Sequence, residues 1–302
     1  MAYINSDPFK QFAELFEVTA RHEAVHALLN ARIKMTIVQS IVLGIIQGIT
    51  EFLPISSSGH LILLPRIFNW PDQGLAYDAV IHLATGLSII LALRKDIFKI
   101  LSGFNLKRLD SEYRKNRKLI GLIVLAMIPA GIAGLMFNNL IEEKLRMVEV
   151  VAWSLIVWGA VLYGAEYYNK KLQKKDSLES VSWKQSLGIG VMQVLALIPG
   201  TSRSGITITG GLFAGMSRVS AVKFSFLIGL PLILGAGSLK FVEIVRSGEL
   251  AGNGAVLLVG FISAFVSGVI AIKLLLWVAE KANFNIFVVY RILLGVGLLL
   301  FF

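Results

Sequence analysis

The chain has 302 residues, of which 56% are hydrophobic and only 16% are charged, and its mean hydropathy is +0.73. Soluble globular domains carry about 25% charged residues, so this composition excludes an ordinary soluble protein. The absence of cysteine excludes disulfides and thiolate chemistry. The formal net charge of +10 fits basic loops at an anionic membrane surface better than nucleic-acid binding.

Residues 1–34 differ from the rest, because they are polar and lack the apolar core of a signal peptide. The sequence HEAVH places His22 and His26 four residues apart around Glu23, a spacing found in helical zinc sites. No third ligand is evident nearby, so an amphipathic or partly disordered segment is the preferred interpretation. We predict a polar extension over 1–34 and a single membrane domain over 35–302.

The first apolar stretch of this domain is interrupted. Two short segments, 36–53 and 56–70, are divided by Pro54 and by the consecutive serines that begin the second segment. They also carry a glutamate and a histidine. Irregular backbone within a membrane is tolerated only where it is buried in protein or lines a watery cavity. We therefore predict a re-entrant helical hairpin whose tip carries Glu51, Ser56, Ser57, Ser58 and His60.

Uninterrupted apolar runs follow, each about long enough to cross ~30 Å of hydrocarbon as a helix. In the first half of the chain they cover residues 75–93, 119–137 and 148–165. The segments 94–118 and 166–184 are rich in lysine and arginine, and the positive-inside rule places them in the cytoplasm. The run at 75–93 is therefore expected to begin outside.

The second half repeats this pattern. The segments 186–198 and 205–214 flank Pro199 and Gly200, and longer runs follow at 219–239, 254–278 and 286–302. The sequence GIIQGITEFLPISSSGH resembles GVMQVLALIPGTSRSGI. In this alignment Gly44 matches Gly190, Gln47 matches Gln193 and, after a one-residue slip, Ser57 matches Ser202.

Two repeats are therefore predicted, 35–180 and 181–302, each with one hairpin and three full spans. An odd number of crossings gives successive repeats opposite orientations, an arrangement common in transporters. The predicted fold is an all-α integral membrane protein with an inverted-topology repeat, six full transmembrane helices and two re-entrant helical hairpins.

The two hairpin tips together offer a set of groups that suits a phosphate. Arg203 provides a planar donor fork, and the half-helices after Pro54 and Pro199 direct free N–H groups at the same place. Ser57 and His60 share one helix face, and a hydroxyl beside an imidazole is a minimal activated nucleophile. Further phosphate contacts are predicted at Ser56, Ser202, Ser204 and Thr207.

Structural alternatives accompany each of these residues. A buried Glu51–Arg203 pair could simply hold the hairpins together, and the serines and glycines could serve only close packing. Asp78 and His82 form a further i, i+4 pair, which fits either a network around the site or a pair at the membrane interface.

The segments QGITEFLPISSSGH and PGTSRSGIT closely resemble the two signature motifs of the bacterial undecaprenyl-diphosphate phosphatase family, also called bacitracin-resistance proteins. The segments YDAVIHLATG, SRVSAVKFSFLIGLP and YRILLG extend the resemblance across residues 35–302. The resemblance implies removal of the terminal phosphate from undecaprenyl diphosphate, which recycles the lipid carrier for cell-wall synthesis. It also implies a site open to the outer side of the bacterial cytoplasmic membrane.

The resemblance assigns the catalytic serine and histidine to Ser57 and His60, and the phosphate-binding arginine to Arg203. Ser57 as nucleophile with His60 as base is preferred, while a phosphohistidine or direct attack by water stays open. The first family motif has Glu or Gln followed by Glu, here Gln47 and Glu51, which would hold a divalent cation (Mg²⁺ or Ca²⁺) with one charge fewer than two glutamates.

The expected partners are a polyprenyl diphosphate and membrane lipids, with no nucleic acid, and a homodimer is compatible with the sequence. The competing function is a polyprenyl-phosphate flippase. A flippase would also use Arg203, but it would need no nucleophile at Ser57.

Overall fold

The computed structural model describes residues 35–105, 107–108, 110–145, 147–172, 177–247 and 253–301. The HEAVH sequence and the remainder of the predicted extension over 1–34 lie outside these ranges. The described chain is helical and contains no strand. Its α-helices are α1 (Ile37–Phe52), α2 (Ser57–Ile67), α3 (Gly74–Ala92), α4 (Arg94–Leu101), α5 (Ser111–Lys144), α6 (Val148–Leu172), α7 (Trp183–Val194), α8 (Arg203–Phe213), α9 (Arg218–Ser247), α10 (Gly254–Lys281) and α11 (Asn285–Phe301).

Within the described part of the chain, four helices are long and apolar enough to cross a membrane, namely α5, α6, α9 and α10. Their exposed faces carry large apolar side chains such as Leu135, Leu258 and Ile270, which suits contact with lipid. A fifth crossing is reached only if α3 is joined to the helical segment after it, and α11 is a shorter apolar helix. The chain is therefore a multi-pass membrane protein.

The segment predicted as a basic loop at 94–118 is largely helical. Helix α4 begins directly after Leu93, and the chain bends by 80° between α3 and the segment Arg94–Phe104. Helix α5 begins at Ser111 rather than near residue 119. Lysine and arginine are good helix formers, so a basic composition marks the side of the membrane without excluding a helix.

The packing pairs elements from the two halves of the chain. Helix α1 packs on α10 and α7 packs on α5, while α3 contacts α9 and α6 contacts α11. Each first hairpin helix thus lies against the second long helix of the other half. A buried apolar cluster that includes Phe52, Phe224 and Phe226 lies beneath the hairpin tips.

The two hairpins share a hydrogen-bonding framework in one constant register. Capping boxes begin both first helices, with Thr36 and Gln39 in one and Ser182 and Gln185 in the other. One turn later, the Ser40 hydroxyl donates to the Val256 carbonyl at 2.6 Å, and the Ser186 hydroxyl donates to the Leu122 carbonyl at 2.6 Å.

This register corrects the predicted alignment at the tips. Ser56 and Ser202 are the equivalent residues, because each caps its helix by accepting a bond from the amide of Gly59 or Gly205. Ser57 therefore corresponds to Arg203, and not to Ser202. The predicted one-residue slip was wrong, because the hydrogen-bonding framework keeps the same register from the first helix to the serine cap of the second.

Candidate active site

The tips of the two hairpins meet, because Arg203 donates to Glu51 at 2.9 Å and Ser204 donates to the Leu53 carbonyl at 3.2 Å. Ser56 and Ser202 have φ angles of 75° and 73°, a left-handed conformation that is costly for residues other than glycine. Such strain is typical of functional sites. It makes Ser57 and Arg203 the first residues of α2 and α8, where backbone amides are free and the helix dipole is positive.

Glu51 accepts hydrogen bonds from three residues of the site. Its Oε2 accepts a hydrogen bond from the Ser57 hydroxyl at 2.7 Å and another from the Gln47 amide at 3.2 Å. Its Oε1 accepts a bond from the Arg203 guanidinium at 2.9 Å. The carboxylate is buried. Its hydrogen bonds connect the Ser57 hydroxyl of the first hairpin to the Arg203 guanidinium of the second.

Arg203 is held from two sides. Besides the bond to Glu51, its Nη1 donates to the carbonyl of Ser225 at 3.1 Å. The guanidinium lies directly over Gly229 in α9, where a Cβ atom would overlap it. Gly229 thus provides the space for Arg203, a role that no sequence motif indicated.

His60 does not pair with Ser57 in the structure. Its Nδ1 donates to the Ser56 carbonyl at 2.7 Å, which leaves Nε2 of the neutral ring to accept from the Tyr290 hydroxyl at 2.6 Å. The predicted Ser57–His60 contact is therefore absent, because the hydroxyl of Ser57 is directed at Glu51. Tyr290 was missed by the sequence analysis, since it lies 230 residues away from His60.

The imidazole nearest the carboxylate belongs to His82. Its Nε2 lies 3.8 Å from Glu51 Oε2, and its Nδ1 donates to the Asp78 carbonyl at 2.7 Å. His82 also lines a cavity of about 200 Å³ between α3 and α9. Of the two interpretations of the Asp78–His82 pair, the structure favours a network around the site.

The remaining predicted phosphate ligands are buried and form the frame around Arg203. Ser204 donates to the Leu53 carbonyl at 3.2 Å, and Thr207 bonds the Arg203 carbonyl at 2.8 Å and the Ser225 hydroxyl at 2.6 Å. Ser56 and Ser202 act as helix caps. These contacts position the cation, while direct binding of phosphate by the four hydroxyls stays a prediction.

Arg291 connects the two hairpin tips through hydrogen bonds to their backbone. It is 1% exposed and donates only to backbone carbonyls, at distances of 3.0–3.3 Å. Its acceptors are Pro54, Ser154, Leu155, Gly200 and Thr201. The carbonyl dipoles stabilise this deeply buried cation. Because its acceptors belong to both tips, Arg291 holds the two hairpins together.

The donor set near Glu51 fits a weakly held divalent cation. The Oε1 atom of Gln47 is buried without a hydrogen-bond partner, and it belongs to the residue that contacts the Glu51 carboxylate. Within the described residues there is no cluster of three or more His, Cys, Asp or Glu side chains that could bind a metal alone. Mg²⁺ commonly uses one or two carboxylates together with substrate phosphates and water, which is the arrangement these oxygens permit.

The family model described as "Bacitracin resistance protein BacA" matches residues 40–297. The undecaprenyl-diphosphatase of Campylobacter curvus (strain 525.92) is 45% identical over 256 residues, which cover 85% of this chain and 95% of the relative. Undecaprenyl-diphosphatase 2 of Stutzerimonas stutzeri (strain A1501) is 40% identical over 256 residues, covering 85% and 94%.

Proposed function

The chain belongs to the family of bacitracin resistance proteins, and we propose that it hydrolyses undecaprenyl diphosphate to undecaprenyl phosphate and inorganic phosphate. This reaction recycles the lipid carrier for peptidoglycan synthesis and confers resistance to bacitracin. The observation that carries the proposal is the continuous chain of contacts from the Ser57 hydroxyl through Glu51 to Arg203. A nucleophile, a proton acceptor and a phosphate-binding cation thus lie at one point.

Ser57 is the proposed nucleophile, and Glu51 replaces His60 as its proton acceptor. As the terminal phosphate binds, Arg203 turns part of its donor fork from Glu51 to the phosphate oxygens. The carboxylate loses a stabilising partner and becomes freer to accept the hydroxyl proton. Ser57 Oγ then forms a bond to the terminal phosphorus, and the bond from phosphorus to the bridging oxygen breaks, which releases undecaprenyl phosphate.

Water completes the reaction. Its oxygen attacks the phosphorus of the phosphoserine, and the bond from phosphorus to Ser57 Oγ breaks. The proton on Glu51 returns to Ser57, and both protons of the water leave with the inorganic phosphate, so Glu51 is again a carboxylate. The amides that begin α2 and α8, together with Arg203, stabilise the charge that develops on the phosphoryl oxygens. His60, fixed between Ser56 and Tyr290, holds the serine tip in shape.

A divalent cation is proposed to assist binding. Glu51 and Gln47 would hold it, and it would neutralise part of the diphosphate charge. Mg²⁺ and Ca²⁺ both suit these oxygen ligands.

The proposed architecture keeps six spans, two re-entrant hairpins and an inverted repeat over 35–180 and 181–302. The chain breaks between α1 and α2 around Pro54, and α2 has 11 residues, or roughly 17 Å, which is too short to cross ~30 Å of hydrocarbon. The exchange of packing partners between the halves supports the repeat. We place the protein in the bacterial cytoplasmic membrane with the site facing outward, and a homodimer stays a prediction.

The test is phosphate release from a short-chain polyprenyl diphosphate by the purified protein. We expect Ser57→Ala and Arg203→Ala each to lower turnover by roughly 10³-fold or more. The matched control is Ser238→Ala, which removes an exposed hydroxyl from α9. EDTA followed by Mg²⁺ or Ca²⁺ tests the proposed cation.

No phosphate release from folded wild-type protein under any cation would contradict the proposed function. Retention of activity in Ser57→Ala would leave the function standing and reject the nucleophile. Transport of a labelled polyprenyl phosphate in vesicles examines the flippase alternative, because Ser57→Ala should leave such transport intact.

A further inference from the structure

A cavity of about 370 Å³ lies where the chain bends between α3 and α4. It is formed by the end of α3, the beginning of α4 and one face of α10. Its lining residues are Leu91, Ala92, Arg94, Lys95, Asp96, Val269 and Lys273.

The cavity carries a surplus of positive charge. Asp96 is already neutralised, because both of its oxygens accept from the Lys223 ammonium at 2.9 and 3.0 Å. Arg94, Lys95 and Lys273 have no ion-pair or hydrogen-bond partner for their side chains among the described residues. Three cations thus face one space, and no anionic side chain of the described residues is left to balance them.

The position of Lys273 indicates the depth of the cavity in the membrane. It lies within the apolar helix α10, directly before the exposed side chain of Leu274 and one turn before that of Trp277. Tryptophan is enriched at the boundary between hydrocarbon and headgroups, and lysine extends its ammonium toward that boundary. The cavity therefore lies at headgroup level, on the side that carries the basic segments.

The cavity is separate from the site at the hairpin tips. His82, which faces Glu51, precedes Ala92 by about ten residues of the continuous helix α3, a distance of roughly 15 Å. None of the residues that line the cavity contacts Glu51, Ser57 or Arg203 within the described chain.

We propose that this cavity binds the phosphate headgroup of an anionic phospholipid from the cytoplasmic leaflet. The guanidinium of Arg94 and the ammonium groups of Lys95 and Lys273 would contact the phosphate, and the acyl chains would lie along the apolar surface near Leu91 and Leu274. Basic pockets between transmembrane helices on the cytoplasmic side bind such headgroups. The inference does not depend on the proposed enzymatic function.

The test measures the lipid retained by purified protein in detergent, by native mass spectrometry with phosphatidylglycerol and phosphatidylcholine supplied in equal amounts. The cavity variant combines Arg94→Gln, Lys95→Gln and Lys273→Gln. The control variant combines Lys107→Gln, Lys118→Gln and Lys170→Gln, which removes the same charge from exposed positions of the basic segments. Elution on size exclusion verifies the fold of both variants.

We expect the cavity variant to lose phosphatidylglycerol at least about tenfold, and the control to retain it. Lys273→Arg, which preserves the charge, should bind like wild type. Equal loss in both triple variants, or no loss in either, would overturn the proposal.

Two competitors distinguish the sources of the phosphate group. Displacement of phosphatidylglycerol by millimolar inorganic phosphate would assign the cavity to the free ion. Preferential retention of a polyprenyl phosphate would assign it to the carrier lipid. Each of these outcomes would reject the phospholipid.

Discussion

The two hairpins are built alike and equipped differently. Both begin with a capping box, both place a serine hydroxyl on a carbonyl of the opposing long helix, and both end in a left-handed serine that caps the second helix. In the shared register, Glu51 corresponds to Leu197, Ser57 to Arg203 and His60 to Ile206. The framework is therefore duplicated, while the reactive groups are divided between the copies.

This difference shows how a symmetrical frame can form an asymmetric site. The framework residues determine where each second helix begins, so the first residue of each helix always faces the junction. At that position one hairpin carries a hydroxyl and the other a guanidinium. The site thus gains a nucleophile and a cation at two equivalent helix starts, since Ser56 and Ser202 have nearly the same backbone conformation.

Arg291 tests whether both tips depend on one connection, and its loss is expected to have the largest effect on stability. Arg291→Gln removes the donor for carbonyls of both hairpins, and unpaired buried carbonyls should lower the free energy of unfolding by about 4 kcal/mol. Thermal unfolding in detergent measures this change. The control is Arg246→Gln at an exposed position, and equal stability of the two variants would refute the connection.

Gly229 tests the cation of the second hairpin alone. In Gly229→Ala the new methyl group overlaps Arg203 and should displace it from Glu51, which lowers kcat/KM roughly 10–100-fold while the protein stays folded. Gly235→Ala in the same helix meets no atom within 4 Å and should retain full activity. Wild-type kinetics in Gly229→Ala would show that Arg203 does not need the space that Gly229 leaves free.

A matched pair of glycines tests the likeness of the hairpins. A Cβ atom at Gly44 would lie 2.6 Å from the Gly260 carbonyl oxygen, and one at Gly190 would lie 2.6 Å from that of Ala126. Each alanine variant should lose about 1–3 kcal/mol of stability through overpacking.

Gly188→Ala, two residues from Gly190, meets nothing within 4 Å and is the control for this pair. Very different losses at Gly44 and Gly190 would contradict the equivalence of the two frameworks.

The serine bonds to the long helices provide the finest test. Ser40→Ala and Ser186→Ala each remove one bond of 2.6 Å to a long helix, and Ser40→Ala also removes a contact of 3.2 Å with the Tyr77 hydroxyl. Side-chain bonds within membranes average about 0.6 kcal/mol, so both variants should show small losses on denaturation, slightly larger for Ser40→Ala. Ser238→Ala at an exposed position should show none. A loss confined to one serine would break the comparison.

Apolar length and interruption were enough to predict most of the helices and the two breaks at the prolines. The predicted runs at 75–93, 148–165 and 254–278 all lie in helices, and Pro54 and Pro199 fall between the helices of each hairpin. These features follow from the local requirement that a chain in lipid satisfies its own backbone bonds. The meeting of Glu51 with Arg203 also followed, because each lies next to a break.

Side-chain partners across the fold could not be predicted from sequence. Spacing placed Ser57 and His60 on one helix face, but the rotamers of the two residues depend on Glu51 and on Tyr290. The space that Gly229 leaves for Arg203 and the contact of His82 with Glu51 likewise come from tertiary packing. The carbonyls that surround Arg291 come from three separate parts of the chain, so no local pattern could predict them.

The carbonyl contacts of Arg291 also set an order of events during biosynthesis. Arg291 follows Pro54 by 237 residues and the Gly200 carbonyl by 91 residues. While the ribosome is still making the intervening helices, the first hairpin can insert but its tip lacks this donor. The site therefore reaches its final shape only after α11 enters the membrane, and a nascent chain that stops earlier presents no finished site to its substrate.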